Sequence, residues 1–300
     1  MNDQGQGHPD GREGPPDTRP YLTIPYWTAP LTPSGSWDTG HDRPLPAAVV
    51  YYLCDAIHAG PFTPGQPLDV TVDVRNSGGG NSAAVVTVVV YWADPTVGFA
   101  KPTFFAASVV AVPPSRTAPA STTTPRMTAV IPASAPPHVC LVVAVSHPQD
   151  RAGTVCDPVG DRHWAQRNLQ AAAVAPGAPA LLPLMVANPF DREGSFLLGV
   201  GPADERHAWR VAREVGTEPG DIPATLRLLD ADGAQVGEDG GHVRTSLGLG
   251  PREARPFQVL VEVGADVPTG QSVPLEAFLL DQSGERVVGA LGIVLVGPDA

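Results

Sequence analysis

The chain has 300 residues, enough for two domains that each bury a core of their own. Its 35 prolines and 32 glycines disfavour long helices and suit many short strands joined by turns. A formal net charge of -12 repels phosphate backbones and anionic lipid surfaces, so nucleic acid is not an expected partner, and no apolar run is long enough for membrane insertion.

Residues 1–20 are rich in Gly, Pro, Asp and Gln, bury nothing and are expected to form a disordered tail. They lack a basic start followed by an apolar core, so the expected location is cytoplasmic, with non-classical export as the other route. Residues 21–46 form an arm in which Tyr21, Tyr26, Trp27 and Trp37 stand among prolines and glycines. Such a segment makes no long regular element, yet its rings are costly to leave in water. It is expected to lie extended across the first domain and plug its open end; the other reading is an exposed platform for a sugar or a partner's groove.

Residues 47–56, AAVVYYLCDA, are a strand candidate broken by Gly60-Pro61. In Leu68–Trp92, Val70, Val72 and Val74 alternate with polar residues, which is the period of a strand with one buried face. Asn76-Ser77-Gly78-Gly79-Gly80-Asn81 then turns the chain into the valine-rich segment Ala84–Trp92. The two segments form either a hairpin or a pair crossing between two sheets. Pro102–Ala111, Arg126–Ile131 and His138–Ser146 read as further strands, with Val112–Thr124 a surface connection. Six or seven short strands in residues 47–175 are the pattern of an immunoglobulin-like β-sandwich.

The Pro-Gly turn, the V-x-V-x-N strand end at Val72–Asn76, the Gly-rich turn and the segment Asp161–Leu169 resemble the bacterial cell-adhesion-related domain group (CARDB) over about residues 45–175. The resemblance implies a structural or binding module with no catalytic residues to carry over.

An Ala/Pro/Gly linker, Ala171–Pro179, leads into a second domain, residues 176–300. Leu184-Met185-Val186-Ala187-Asn188 repeats the apolar-x-apolar-x-Asn ending of Val72–Asn76, which hints at a repeated architecture. Strands are expected at Ser195–Val200, His207–Val211, Ala224–Asp230, Gln235-Val236, Phe257–Val263, Val273–Leu280 and Arg286–Val296. Ala231-Asp232-Gly233 is a hairpin turn, and residues 265–270, ADVPTG, turn the chain again. The closing strands are similar to those of bacterial immunoglobulin-like accessory modules. The expected fold is thus all-β, two tandem sandwiches behind a disordered tail.

The sequence has no phosphate-binding loop, nucleophile elbow or H-E-x-x-H motif. Gly78-Gly79-Gly80 lacks the helix that a phosphate cradle needs. Asp150, Asp157 and Asp161 are oxygen-ligand candidates for calcium, and His147, Cys156 and His163 for zinc; the plainer reading is a solvated loop with Asp as turn formers. Trp209, between Arg206 and Arg210, either stacks against a sugar or partner or is a buried sandwich tryptophan. Cys54, Cys140 and Cys156 are too few for a disulfide framework and are expected as packed thiols, although a bridge to Cys140 from either of the others is an alternative. No cofactor is expected.

The functional expectation is a non-enzymatic scaffold that holds a protein partner or joins a larger assembly. The alternative is a carbohydrate-binding or adhesive module using Trp27, Trp37, Trp164 and Trp209. Burial of these rings would count against it.

Overall fold

The computed structural model describes residues 18–28, 37–115, 120–174, 178–264 and 267–297, with only the backbone of 238–239. The expected disordered tail therefore lies outside the described residues up to position 17, as do parts of the aromatic arm, the 112–124 connection, the 171–179 linker and the 265–270 turn.

The fold is all-β, with two sandwiches and one helix among the described residues. In the first sandwich, Pro67–Asn76 pairs along its length with four short strands, Leu22–Thr23, Ile57–Ala59, Ala120–Thr123 and Met127–Val130. The facing antiparallel sheet runs in the order Trp164–Arg167, Cys140–Ser146, Ala84–Ala93, Thr103–Val112. Val70, Val72 and Val74 from one sheet share a buried cluster with Val86, Val88, Val90, Val143 and Val145 from the other. Each is a β-branched side chain at period 2, so each sheet buries one face.

Pro67–Asn76 and Ala84–Ala93 thus lie in different sheets, and the stretch is the sheet-crossing pair rather than a hairpin. Its Gly-rich turn accommodates the arm: a Cβ on Gly78 would sit 2.3 Å from the Arg19 carbonyl oxygen. The described start of the arm runs along the first sandwich. Leu22 and Thr23 pair with Asn76 and Arg75, and Tyr21, Ile24, Tyr26 and Trp27 are buried.

The second sandwich has a sheet ordered Leu169–Ala173, Val287–Val296, Gln271–Asp281, Gly194–Pro202, Val243–Leu249, with Glu218–Pro219 also beside Gln271–Asp281. Its partner sheet is ordered Gln235–Gly240, Ala224–Leu229, Ala254–Val263, Ala180–Ala187, Thr96–Val97. Leu184, Val186, Val259 and Val261 meet Leu198, Leu279, Ile293 and Leu295 in its core.

Two outer strands of this second sandwich come from sequence expected to belong to the first unit, residues 47–175. Thr96–Val97, in the connection between two strands of the first sandwich, pairs in parallel with Met185 and Val186. Leu169–Ala173, expected to end the first unit and open a linker, pairs in parallel with Gly292–Val296. Each covers backbone groups that a free sheet edge would expose.

Three sequence expectations need correction. Residues 47–56 are no strand: Val49 through Cys54 are consecutively buried, which a two-faced strand with one wet side cannot achieve, and they wedge in as turns. His207–Val211 belongs to a helix, Glu205–Glu214, capped by Asp204, whose side chain accepts the His207 backbone N–H. The 112–124 connection contains the strand Ala120–Thr123, whose Ser and Thr residues gave no apolar period. Val243–Leu249 is a further strand that its sequence did not advertise, since Arg244, Ser246 and Gly248 fill its outer positions and Thr245 interrupts the apolar inner row.

The repeated asparagine has a common mechanical role. Asn76 Oδ1 accepts from the Gly78 and Tyr21 N–H groups while Nδ2 donates to the Pro113 carbonyl. Asn188 Oδ1 accepts from the Phe190 N–H while Nδ2 donates to the carbonyls of Arg192, Leu249 and Gly250. Both buried amides close an i to i+2 turn at a strand end and tie it to a distant loop.

Candidate functional site

The Asp-rich loop, with its calcium and zinc candidates and its plainer reading as a turn-forming loop, is wired internally. Asp150 accepts the Leu22 N–H at 2.6 Å and pairs with Arg162, and its carboxylate lies 3.1 Å from His163 Nε2. Asp161 accepts the Gly153 N–H at 2.8 Å and His163 Nδ1 at 2.7 Å. Asp157 accepts the Gly160 N–H at 2.8 Å and reaches Arg286 of the second sandwich. Among the described residues no three His, Cys, Asp or Glu side chains form a metal-holding group. Burial disfavours the charged form of His163, but hydrogen bonds to Asp150 and Asp161 outweigh it and raise the imidazole pKa. Burial likewise pushes Asp161 up, and its bonds to His163 bring it below the usual carboxylate value. The loop is a charge-compensated tie joining the arm, the first sandwich and Arg286.

The four tryptophans divide. Trp27 and Trp164 are 5% and 8% exposed, and Trp164 Nε1 donates to the Gly153 carbonyl. Trp37 is 46% exposed, with the Arg75 guanidinium 5.5 Å from its ring centroid. Trp209, read from sequence as a buried sandwich residue or a stacking platform, is 46% exposed. The rings do not form one aromatic row. All three cysteines are free and buried, and burial raises their thiol pKa values, which leaves them as packing groups.

The helix Glu205–Glu214 positions the most distinctive surface. His207, Val211 and Ala212 face inward. Arg206, Trp209 and Arg213, at i, i+3 and i+7, share the outward face with Glu205, and all are exposed. Arg210, half-buried beside them, pairs with Asp55 at 2.6 Å and with Glu214, which also holds Arg167. These groups and His58 line an open polar cleft of about 500 Å³ between the first sandwich and the helix. With the strand expected from sequence, Arg206 and Trp209 would point to opposite faces; the helix brings them to one.

Under the helix, His207 Nδ1 lies 2.6 Å from Glu276 Oε1, and the Tyr52 hydroxyl donates to the same oxygen at 2.7 Å. Burial lowers the His207 pKa, and Glu276 more than reverses this. Burial, with Glu276 beside it, pushes the Tyr52 phenol well up, so it stays a protonated donor.

No family model matches the chain, and no curated protein sequence matches it. Among solved structures it is similar to the CupB6 tip adhesin from Pseudomonas aeruginosa, at 9% identity and TM-score 0.24, over 81% of this chain and 94% of that one. It is also similar to the collagen adhesin (CNA) from S. aureus, at 6% identity and TM-score 0.25, over 80% of this chain and 91% of that one. A calcium-binding mutant of the β-glucuronidase 2 from Bacteroides uniformis matches at 10% identity and TM-score 0.24, over 78% of this chain but 26% of its own. Likeness at this level carries no argument about ligands or partners.

Proposed function

We propose that this chain is a non-enzymatic protein-interaction scaffold, with the outward face of the helix as its docking surface. The observation that carries the reading is Trp209 standing half-exposed between Arg206 and Arg213. Trp and Arg are the side chains that most often dominate binding energy at interfaces. Neither Arg206 nor Arg213 has an ion-pair partner among the described residues, so a partner's carboxylates meet them without displacing an internal contact. A local basic and aromatic face on a chain of net charge -12 selects an acidic polypeptide surface. Kinship of the first unit with the CARDB group belongs to the same proposal.

The test compares wild type with Trp209→Ala and with Arg206→Glu/Arg213→Glu in proximity cross-linking and native mass spectrometry. A stoichiometric partner present with wild type and lost with both variants is the expected result. A partner set unchanged by both variants would overturn the helix as docking surface, and glycan-array binding lost with Trp209→Ala would favour the carbohydrate reading.

A further inference from the structure

A second site lies where the two sandwiches interlock. The connection between Ala84–Ala93 and Thr103–Val112 crosses to the second sandwich, and with it lines a half-open cavity of about 230 Å³. Trp92, Phe99 and Met185 are apolar lining residues, while Asp94, Lys101 and Arg252 bring charge. An apolar cavity with a few convergent polar groups is the general form of a small-molecule site.

The cations differ in availability. Arg252 is already engaged: Nε donates to Asp191 at 2.6 Å, Nη1 to the Ala100 carbonyl at 3.3 Å and Nη2 to the Thr154 carbonyl at 3.4 Å. It is also the non-glycine residue with positive φ, 52°, among the described residues, so the backbone is held in a sparsely populated region to place it. Its bond to Ala100 fixes the wall from which Lys101 projects. Lys101 is exposed and, among the described residues, neither an ion pair nor a hydrogen bond engages its ammonium. Elsewhere Arg43, Arg162, Arg167, Arg210 and Arg286 all have carboxylate partners.

We infer that this junction cavity binds a small amphiphilic monocarboxylate, its apolar body against Trp92, Phe99 and Met185 and its carboxylate on Lys101. The volume is that of about eight waters, which suits a ligand of roughly ten non-hydrogen atoms. Asp94 on the lining and the acidic chain as a whole disfavour a second negative charge. The loop packs closely on the second sandwich at the point of contact: Gly98 has φ 79°, and a Cβ there would lie 2.1 Å from the Ala187 carbonyl oxygen.

Phenylacetate titrated into the full chain by calorimetry or ligand-observed NMR tests the assignment, with phenethyl alcohol and phenethylamine as uncharged and cationic probes. Saturable binding of phenylacetate is expected, weakened about threefold by Lys101→Ala, the effect of one exposed charge pair. Phenethyl alcohol should bind equally to wild type and Lys101→Ala. Ala254→Trp, which enlarges an exposed residue of the lining, should abolish binding of both. Failure to saturate below about 50 mM, far weaker than ligands of this size achieve in a formed pocket, overturns the site. So does binding indifferent to both variants. Loss with Ala254→Trp but not with Lys101→Ala, or phenethylamine binding as well as phenylacetate, overturns the carboxylate assignment. Lys101→Ala alters an exposed side chain, so its arm stands even if the tryptophan variant does not fold.

Discussion

Three histidines show how the same side chain is set differently by its neighbours. His163 and His207 sit against carboxylates that raise their pKa values despite burial. His138 has no such partner, its Nε2 is buried without a hydrogen bond, and burial lowers its pKa from 6.5 to about 4. Below pH 6.5 the unfolded chain therefore takes up a proton that folded His138 refuses, and stability falls until about pH 4. The full linkage is about 3 kcal/mol, from 1.36 kcal/mol per pKa unit. His138→Leu should flatten the acid limb of a urea-denaturation profile by about this amount, whereas an unchanged limb would show that His138 is hydrated when folded. The paired asparagines make a second residue-scale prediction. Asn76→Ala and Asn188→Ala each strand several buried backbone groups, so each should cost about 2–3 kcal/mol. A loss below about 0.5 kcal/mol, the surface-mutation range, would mean that water replaces the amide.

At the scale of elements, alternation marks the strands with one wet face, while unbroken apolar runs mark buried strands such as Cys140–Ser146. Val70, Val72 and Val74, and likewise Phe257, Val259 and Val261, alternate because their neighbours reach solvent. Residues 47–56 were misread because a segment buried all round has the same apolar run whether extended or turned. The helix was missed for the opposite reason: only His207, Val211 and Ala212 face inward, too few to write a helical period, and Asp204 three residues before His207 was the overlooked cap signal. Of the sites, Trp209 was legible as a residue and not as a surface. The junction cavity was not legible at all, because Trp92, Met185 and Arg252 meet only through the exchange of edge strands. The cap predicts an outcome of its own. Asp204→Ala should cost about 1 kcal/mol in denaturation and raise hydrogen exchange across Glu205–Glu214 more than in the sandwich cores. Uniform exchange throughout would show that tertiary packing alone holds the helix.

Across the whole molecule, the two sandwiches share their cores as well as their edges. Val211, Ala290 and Val294 belong to the first sandwich's buried cluster. Tyr52 reaches between the helix and Gly292, where a Cβ would lie 2.2 Å from its ring, and its hydroxyl meets Glu276 and, through it, His207. Asn168 adds a second lock, donating to the carbonyls of Thr96 and Ala290 at 2.7 and 2.9 Å. With so much of each half built from the other, calorimetry should show one transition. Part of its alkaline decline comes from His207, whose folded pKa stands above its unfolded value. The stabilisation is therefore complete below about pH 6.5 and is lost as pH rises through the folded pKa. Glu276→Gln removes the charge that raises this pKa, so it should lower the melting temperature at pH 6 and erase His207's share of the alkaline decline. Tyr52→Phe removes only a neutral donor to the same oxygen, so it should lower the melting temperature while leaving that decline in place. Equal slopes in wild type and Glu276→Gln would assign the whole alkaline decline to His163 in the arm-binding loop and exclude the junction as a source of pH dependence.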